Sequence, residues 1–419
     1  MAEDLEVKAR ELQSLLGRCS GLLKGTGRMD GQGKKPRELE AKHDRMQISE
    51  LQGTIKKLKQ ELANIKKHEP RVESQTKTKE TQESLQESYY DYSEDNTTLA
   101  LVLVFRFLTF SELLLVGRVS RQWQRASLHP SLWELIDLSD YRLDSDVLIK
   151  LANSCTSTKQ IILQGLTPPP ATPKVDLQGY IDSQKAGLEA GLKALLSKAG
   201  PSLLSLSISQ CPLRITERSL WITSFTSPSL VFLLYQSEEF PPTPESIWSL
   251  SNGCPRIQSL HLYPTEDEEL DKQYNDRVLY HIGKGFPLLT ELTIGGQGLT
   301  ISGITQLMSR LPRLHTLHLV KGPQISYETA NHFSSILPSL LLLQLTHTPI
   351  SPQAVIKIID THKSLKTFHI QISFIDYFAD EGKTRTLGSE KKYQQIINNF
   401  EAIAQHSKYG GVFQVTDTQ

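Results

Sequence analysis

The side chains of this 419-residue chain best suited to metal or nucleophilic chemistry are its cysteines and histidines. Cys19, Cys155, Cys211 and Cys254 lie far apart, and none forms a CxxC pair. Neither a structural zinc site nor a disulfide framework is expected from that spacing. His261, His318 and His369 each occupy the middle of an L-x-L triplet, with Thr293 and Gln344 at the same place in the intervening triplets. The interruption argues against a shared metal and predicts a partner-contacting or solvated row. Gly295-Gly296-Gln297-Gly298 follows an apolar run but lacks the Lys-Ser/Thr of a phosphate loop, so it reads as a tight turn. GxSxG, HExxH, GxxxxGK[ST] and GxGxxG are all missing. The chain is therefore expected not to be an enzyme and to use no cofactor and no metal.

The triplets that hold these histidines belong to a repeat. L-x-x-L-x-L recurs at Leu203/Leu206/Ile208, Leu230/Leu233/Tyr235, Ile257/Leu260/Leu262, Leu289/Leu292/Ile294, Leu314/Leu317/Leu319, Leu340/Leu343/Leu345 and Leu365/Phe368/Ile370. Weaker copies stand at Trp133/Ile136/Leu138 and Thr158/Ile161/Leu163. Successive starts from Leu203 are 27, 27, 32, 25, 26 and 25 residues apart. Pro201, Pro228, Pro255, Pro287, Pro312 and Pro338 stand two residues before the first apolar position, where proline stops a preceding helix. Helical spacing follows the turns, as in Ile301, Ile304, Leu307 and Leu311, with Thr216, Ser302, Ser326 and Ser351 placed to cap helices.

One strand and one helix per period predict an α/β leucine-rich-repeat solenoid, parallel strands inside and helices outside, over 139–378. The Asn/Cys position after each strand is met by Cys211 alone; elsewhere it holds Glu238, Thr265, Gln297, Gly322, Thr348 and Ser373. Residues 166–182 are proline-rich and read as an exposed loop, and the acidic insertion 264–277 lengthens one repeat to 32 residues. Residues 379–419 supply an amphipathic cap helix over 389–408, with Ile396, Ile397, Phe400 and Ile403 on one face, and a tail. Side-chain alternation turns His261, Tyr263, Thr293, His318, Gln344 and His369 toward the concave face. These form the candidate surface for a protein substrate, unless that face is merely solvated.

Upstream of the repeats, residues 96–138 are dense in apolar residues with helical spacing. Val104-Phe105-x-Phe107-Leu108, Glu112-Leu113, Val119-Ser120-x-x-Trp123 and Leu132-Trp133 together resemble an F-box. The stretch departs from that pattern at its start, Asn96-Thr97 in place of Leu-Pro, and at Ser120 in place of cysteine. An F-box followed by leucine-rich repeats resembles the F-box/leucine-rich-repeat proteins. The resemblance implies the substrate-recognition subunit of a cullin–RING ubiquitin ligase. The F-box would bind a Skp-type adaptor, and through it a cullin scaffold, by way of Val104, Phe105, Leu108, Leu113, Val119, Trp123, Leu132 and Trp133. The block also holds more large apolar side chains than a cap of its size can hide, which independently suggests a protein-binding face. A three-helix cap without a partner is the plainer reading.

Residues 1–70 are polar, and Ile48, Leu51, Ile55, Leu58, Leu62 and Ile65 follow a 3-4 spacing that predicts a coiled coil, with self-association through 39–69. A lone surface helix is the alternative, because Gly53 weakens the helix by about 1 kcal/mol relative to alanine. Residues 34–79 carry 13 Lys/Arg against 7 Asp/Glu, but no aromatics are interleaved for base stacking. The acidic segment 71–95, with Tyr89, Tyr90 and Tyr92, is too polar to bury a core and reads as a disordered linker. Over the whole chain 46 basic residues balance 46 acidic ones. No nucleic-acid or membrane partner is expected, and a cytoplasmic or nuclear location is. A coiled-coil/leucine-rich-repeat scaffold without ligase association is the rival function.

Overall fold

The computed structural model describes residues 98–167, 184–336, 339–378 and 386–418. The expected coiled coil, the linker, the Asn96-Thr97 start and nearly all of the proline-rich loop lie outside the described residues. The chain divides into two compact units, one ending at Ser127 and one beginning at Leu128.

The described part of the first unit is three short helices: α1 (98–105), α2 (Phe110–Val116) and α3 (Arg121–Ser127). Thr109 and Glu112 start α2 with a reciprocal cap, in which the Thr109 N–H donates to Glu112 Oε2 at 2.8 Å. Val102, Phe105, Leu113, Val116 and Ala126 are buried.

The second unit is one parallel sheet of ten strands paired in chain order. Its strands are β1 (Leu135–Asp137), β2 (Gln160–Gln164), β3 (Ser205–Ser209), β4 (Phe232–Gln236), β5 (Ser259–Tyr263), β6 (Glu291–Gly295), β7 (Thr316–Val320), β8 (Leu342–Thr346), β9 (Thr367–Ile372) and β10 (Phe413–Asp417). The helices between them are α4 (Ser145–Ala152), α5 (Glu189–Ala199), α6 (Arg218–Thr226), α7 (Pro244–Gly253), α8 (Glu268–Asp271), α9 (Asp276–Gly285), α10 (Ile301–Arg310), α11 (Tyr327–Ile336), α12 (Pro352–Thr361), α13 (Phe374–Tyr377) and α14 (Leu387–Gln405).

Register stacks each repeat's leucines on the next: Leu206 pairs with Leu233, Leu233 with Leu260, Leu292 with Leu317, and Leu317 with Leu343. All of these are buried between sheet and helices, so the repeat's apolar positions are the solenoid core. Thr158 holds a leucine position because its Oγ1 donates to the Trp133 carbonyl at 2.6 Å, which satisfies a hydroxyl buried in that core.

Several expectations change. The sheet begins at β1, inside the segment assigned to the F-box, and Leu132 and Trp133 fall in the second unit. Thr300, not Ser302, caps α10, accepting from the Gly303 N–H at 3.1 Å, whereas Ser351 caps α12 as expected. The insertion 264–277 has structure of its own. It contains α8, buries Tyr274, and ties the Tyr274 hydroxyl to the Tyr263 carbonyl at 2.6 Å. The C-terminal segment folds as α14 over 387–405, burying Tyr393, Ile397, Phe400 and Ile403. The tail then returns as β10, which pairs with β9.

Candidate protein-interaction surfaces

In the first unit, spacing sorts the apolar residues into two sets. Val102 and Phe105 turn inward, and the Phe105 ring meets Trp123 edge to face. Leu99 and Leu103, one helical turn apart, turn outward together with Phe107, Leu114, Leu115 and Val119. Leu103 is 60% exposed and Phe107 67%. Six large apolar side chains facing water on one small unit form the kind of surface that a partner covers.

The expected adaptor residues divide accordingly. Val119 is exposed, Val104, Leu108, Trp123 and Leu132 are half-buried, and Phe105, Leu113 and Trp133 are buried. Helical spacing turns Phe105 and Leu113 into the core of the first unit, and Trp133 is buried where the chain enters β1. Phe107, an aromatic anchor expected from the sequence, is exposed, whereas Leu99, Leu103, Leu114 and Leu115 were not expected as contacts. The signal is that Leu103, Leu114 and Leu115 each stand one residue from a buried neighbour, Val102, Leu113 or Val116, a step that turns a helical side chain by about 100°.

The second surface is the face of the sheet opposite the helices. Register aligns Leu234, His261, Thr293, His318, Gln344 and His369 in one row across β4 to β9. The row is hydrogen-bonded to itself. Thr293 Oγ1 lies 2.8 Å from His261 Nδ1, Ser259 Oγ lies 2.8 Å from His261 Nε2, and Ser259 Oγ donates to Glu291 Oε2 at 2.9 Å. His318 Nε2 reaches Thr346 Oγ1 at 2.9 Å, and His369 Nε2 reaches Thr416 Oγ1 at 3.0 Å. Thr293 is buried, and His261 is half-exposed with both ring nitrogens hydrogen-bonded within the sheet, so the two also brace the row. Tyr263, His318, Gln344 and His369 remain half-exposed, beside Phe232, Leu234 and Leu342, which the sequence reading did not select.

The Ser259–His261–Glu291 cluster is not a hydrolytic triad. There the carboxylate orients the imidazole, which takes the proton of the serine. Here the carboxylate accepts from the serine itself, so the histidine is not set up as its base. Burial lowers the His261 pKa, and burial together with His261 and His369 lowers that of His318 to about 4. Both imidazoles are neutral at physiological pH, and Glu291 is the one charged side chain among the described residues at the outward positions of β2–β9. The described cysteines are no more reactive: burial raises the thiols of Cys155 and Cys254 to about 12 and that of Cys211 to about 11. No group of three or more metal-ligating side chains occurs among the described residues.

The turn after β6 bears out the reading of Gly295–Gly298. Gly296 has φ +118, and a Cβ there would lie 2.6 Å from the Tyr274 Cβ, so glycine lets the insertion pass over the turn. Lys321 braces the same rim, with its Nζ 2.8 Å from the Thr265 carbonyl and 3.4 Å from Glu266 Oε2.

Comparison with known proteins places these surfaces in context. The F-box-like family model matches residues 100–139. Human F-box only protein 41 is 32% identical over 317 residues, covering 75% of this chain, and the mouse protein of that name matches to the same extent. The chain spans 36% of the length of either relative. Among solved structures, the yeast Rad7–Elc1 complex gives a TM-score of 0.41 at 15% identity, covering 72% of this chain and 88% of the other. The leucine-rich-repeat protein LegL7 of Legionella pneumophila gives 0.36 at 14% identity, covering 68% and 91%. The chain thus carries an F-box-like segment at 100–139, followed in sequence by strand–helix repeats.

Proposed function

We propose that this chain is a substrate-recognition subunit of a Skp–cullin–F-box ubiquitin ligase. In this reading the outward apolar face of α1 and α2 docks a Skp-type adaptor, and a cullin scaffold joins through it. The open face of the sheet holds the protein to be ubiquitylated, and the chain supplies no catalytic group of its own. The observation that carries the reading is the exposed set Leu103, Phe107, Leu114, Leu115 and Val119, within the segment matched by the F-box-like model, with Leu99 one residue before it. Half-exposed aromatic, imidazole and amide side chains around Tyr263, His318, Gln344 and His369 suit a protein surface better than a nucleic-acid backbone, which needs cations.

Co-purification of the full chain with adaptor and cullin tests the first half. Capture is expected for the wild type and is expected to be lost in Leu103→Asp/Phe107→Asp. A folded protein that never captures the adaptor would favour the scaffold reading, which the Asn96-Thr97 and Ser120 departures support. Proximity labelling with Tyr263→Ala/His318→Ala/Gln344→Ala tests the second half. An unchanged set of labelled proteins, with adaptor still bound, would remove the open face as the receptor surface.

A further inference from the structure

The helical side of the solenoid carries a feature that neither surface above uses. On α6, α7 and α9 the spacing i, i+3, i+7 lines up Arg218/Trp221/Phe225, Glu245/Trp248/Asn252 and Arg277/Tyr280/Lys284 along one side of each helix. Side chains from the neighbouring turns, among them Leu220, Ile247 and Leu279, fill the core, so these positions face away from it. Trp221 is half-exposed, Trp248 and Tyr280 are 53% and 44% exposed, and Phe225 is 80% exposed. Large aromatic side chains are seldom left in water on three neighbouring helices, and aromatic rings dominate contact energetics.

Glycine draws the three helices together. A Cβ at Gly253 would collide with the Ser224 backbone, and one at Gly285 would collide with the Ser251 side chain. Neighbouring helices in contact lie about 8–10 Å apart, so Trp221, Trp248 and Tyr280 repeat across the helices at about that interval. The surroundings are basic. The Arg310 guanidinium carbon stacks 4.7 Å from the centre of the Tyr280 ring, and Lys284 Nζ lies 5.9 Å from it. Arg218 and Arg277 are exposed; Arg218 lies 3.7 Å from the buried Glu189, and Glu245, the one acid on the three aligned faces, is 3.6 Å from Arg277, which leaves Lys284 and Arg310 without a carboxylate partner on these faces.

We infer that this stripe is a docking site for an acidic, proline-rich peptide running across the helices. A polyproline II segment has three residues per turn and rises about 3.1 Å per residue. It therefore presents the same side every ~9.3 Å, which matches the ~8–10 Å spacing of packed neighbouring helices. Prolines on that side stack on Trp221, Trp248 and Tyr280, as in other aromatic-lined grooves that read this helix. Carboxylates on the other two sides meet Lys284 and Arg310. The site is separate from the open face of the sheet, so it can hold a second partner while that face is occupied.

The test uses the full chain and three labelled synthetic peptides of equal length: repeats of Pro-Glu-Asp, Ala-Glu-Asp and Pro-Lys-Lys. Fluorescence anisotropy is expected to show the Pro-Glu-Asp peptide binding at least tenfold tighter than either of the others. Trp248→Ala/Tyr280→Ala is expected to weaken it at least tenfold, with an unchanged melting temperature because both side chains face solvent. Arg310→Glu is expected to weaken it and to flatten its salt dependence. Equal binding of the alanine peptide would reduce the site to bulk charge and overturn the proposal. So would binding indifferent to the double variant, or a concentration-dependent dimer that the double variant dissolves, since the stripe would then belong to a second copy of the chain.

Discussion

The rings of Phe105 and Trp123 meet edge to face, with centroids 5.3 Å apart and planes inclined at 66°. Phe105 is buried and Trp123 half-buried, so this contact joins α1 to α3 from within. Phe107, two residues further on, faces water. Phe105→Ala is therefore expected to destabilise the first unit by about 3–5 kcal/mol, the usual loss for a buried phenylalanine. Leu103→Asp/Phe107→Asp is expected to leave stability within about 1 kcal/mol and to abolish adaptor capture. Thermal unfolding followed by a pull-down of each variant separates the two effects. Loss of capture in both variants with equal loss of stability would show that Phe107 is structural.

The imidazole row gives the solenoid a pH dependence whose sign is fixed. In the fold His318 titrates near 4, below its ordinary value of 6.5, because burial and the two flanking histidines disfavour its charge. Between those values the unfolded chain binds the proton that the native chain refuses. This stabilisation is therefore fully present above pH 6.5 and is lost as pH falls toward 4. His261 is shifted in the same direction. Urea midpoints measured from pH 7.5 down to 4 are expected to fall across that window, and His318→Gln is expected to make the fall shallower. An equally steep profile in the variant would assign the effect to other groups.

The turn that carries the insertion offers a sharp stability test. Gly296→Ala introduces a Cβ against Tyr274 at a φ that L residues avoid, and about 1–3 kcal/mol is the expected cost. Tyr274→Phe removes only the hydroxyl bond to the Tyr263 carbonyl, and about 1 kcal/mol is expected. Chemical denaturation of both variants checks the order. A Gly296→Ala protein as stable as the wild type would mean that the insertion does not rest on the turn.

Residues 39–69 are proposed to self-associate weakly through the seam from Ile48 to Ile65. Sedimentation of the full chain over a concentration series is expected to show reversible association, which Ile55→Asp/Leu62→Asp removes. A wild-type chain that stays monomeric at high micromolar concentration would contradict it.

The solenoid was legible because its period is written in residues that must be buried. Leu206, Leu233, Leu260, Leu292, Leu317 and Leu343 stack in register as their spacing requires. The missing asparagines were less of an obstacle than they looked. Thr348 Oγ1 lies 3.4 Å from the Leu319 carbonyl and 3.2 Å from that of Thr346, the same bridge that the Cys211 thiol makes to Leu163 and Ser209. In these two repeats a small donor makes the bridge. Strand β10 was not legible, because Phe413-Gln-Val-Thr-Asp has no repeat spacing and its place depends on α14 bringing it back beside β9. The F-box-like segment was legible as a pattern but not as a surface. A family motif marks Phe105 and Phe107 alike, and only helical geometry shows that one faces inward and the other out. The same limit applied to His261, whose neighbours Ser259 and Thr293 occupy both of its nitrogens across a strand pair that sequence distance conceals.

Because the ten strands pair strictly in chain order, cooperativity in the sheet passes only from neighbour to neighbour, and either end can open without the middle. Lys321 is an exception. Its ammonium reaches from the turn after β7 past β6 to the carbonyl of Thr265 beyond β5, so strand β6 cannot loosen without straining a tie between its two neighbours. The slowest-exchanging amides of the protein therefore belong in β5 to β7, near its most irregular repeat, with protection fading toward β2 on one side and β10 on the other.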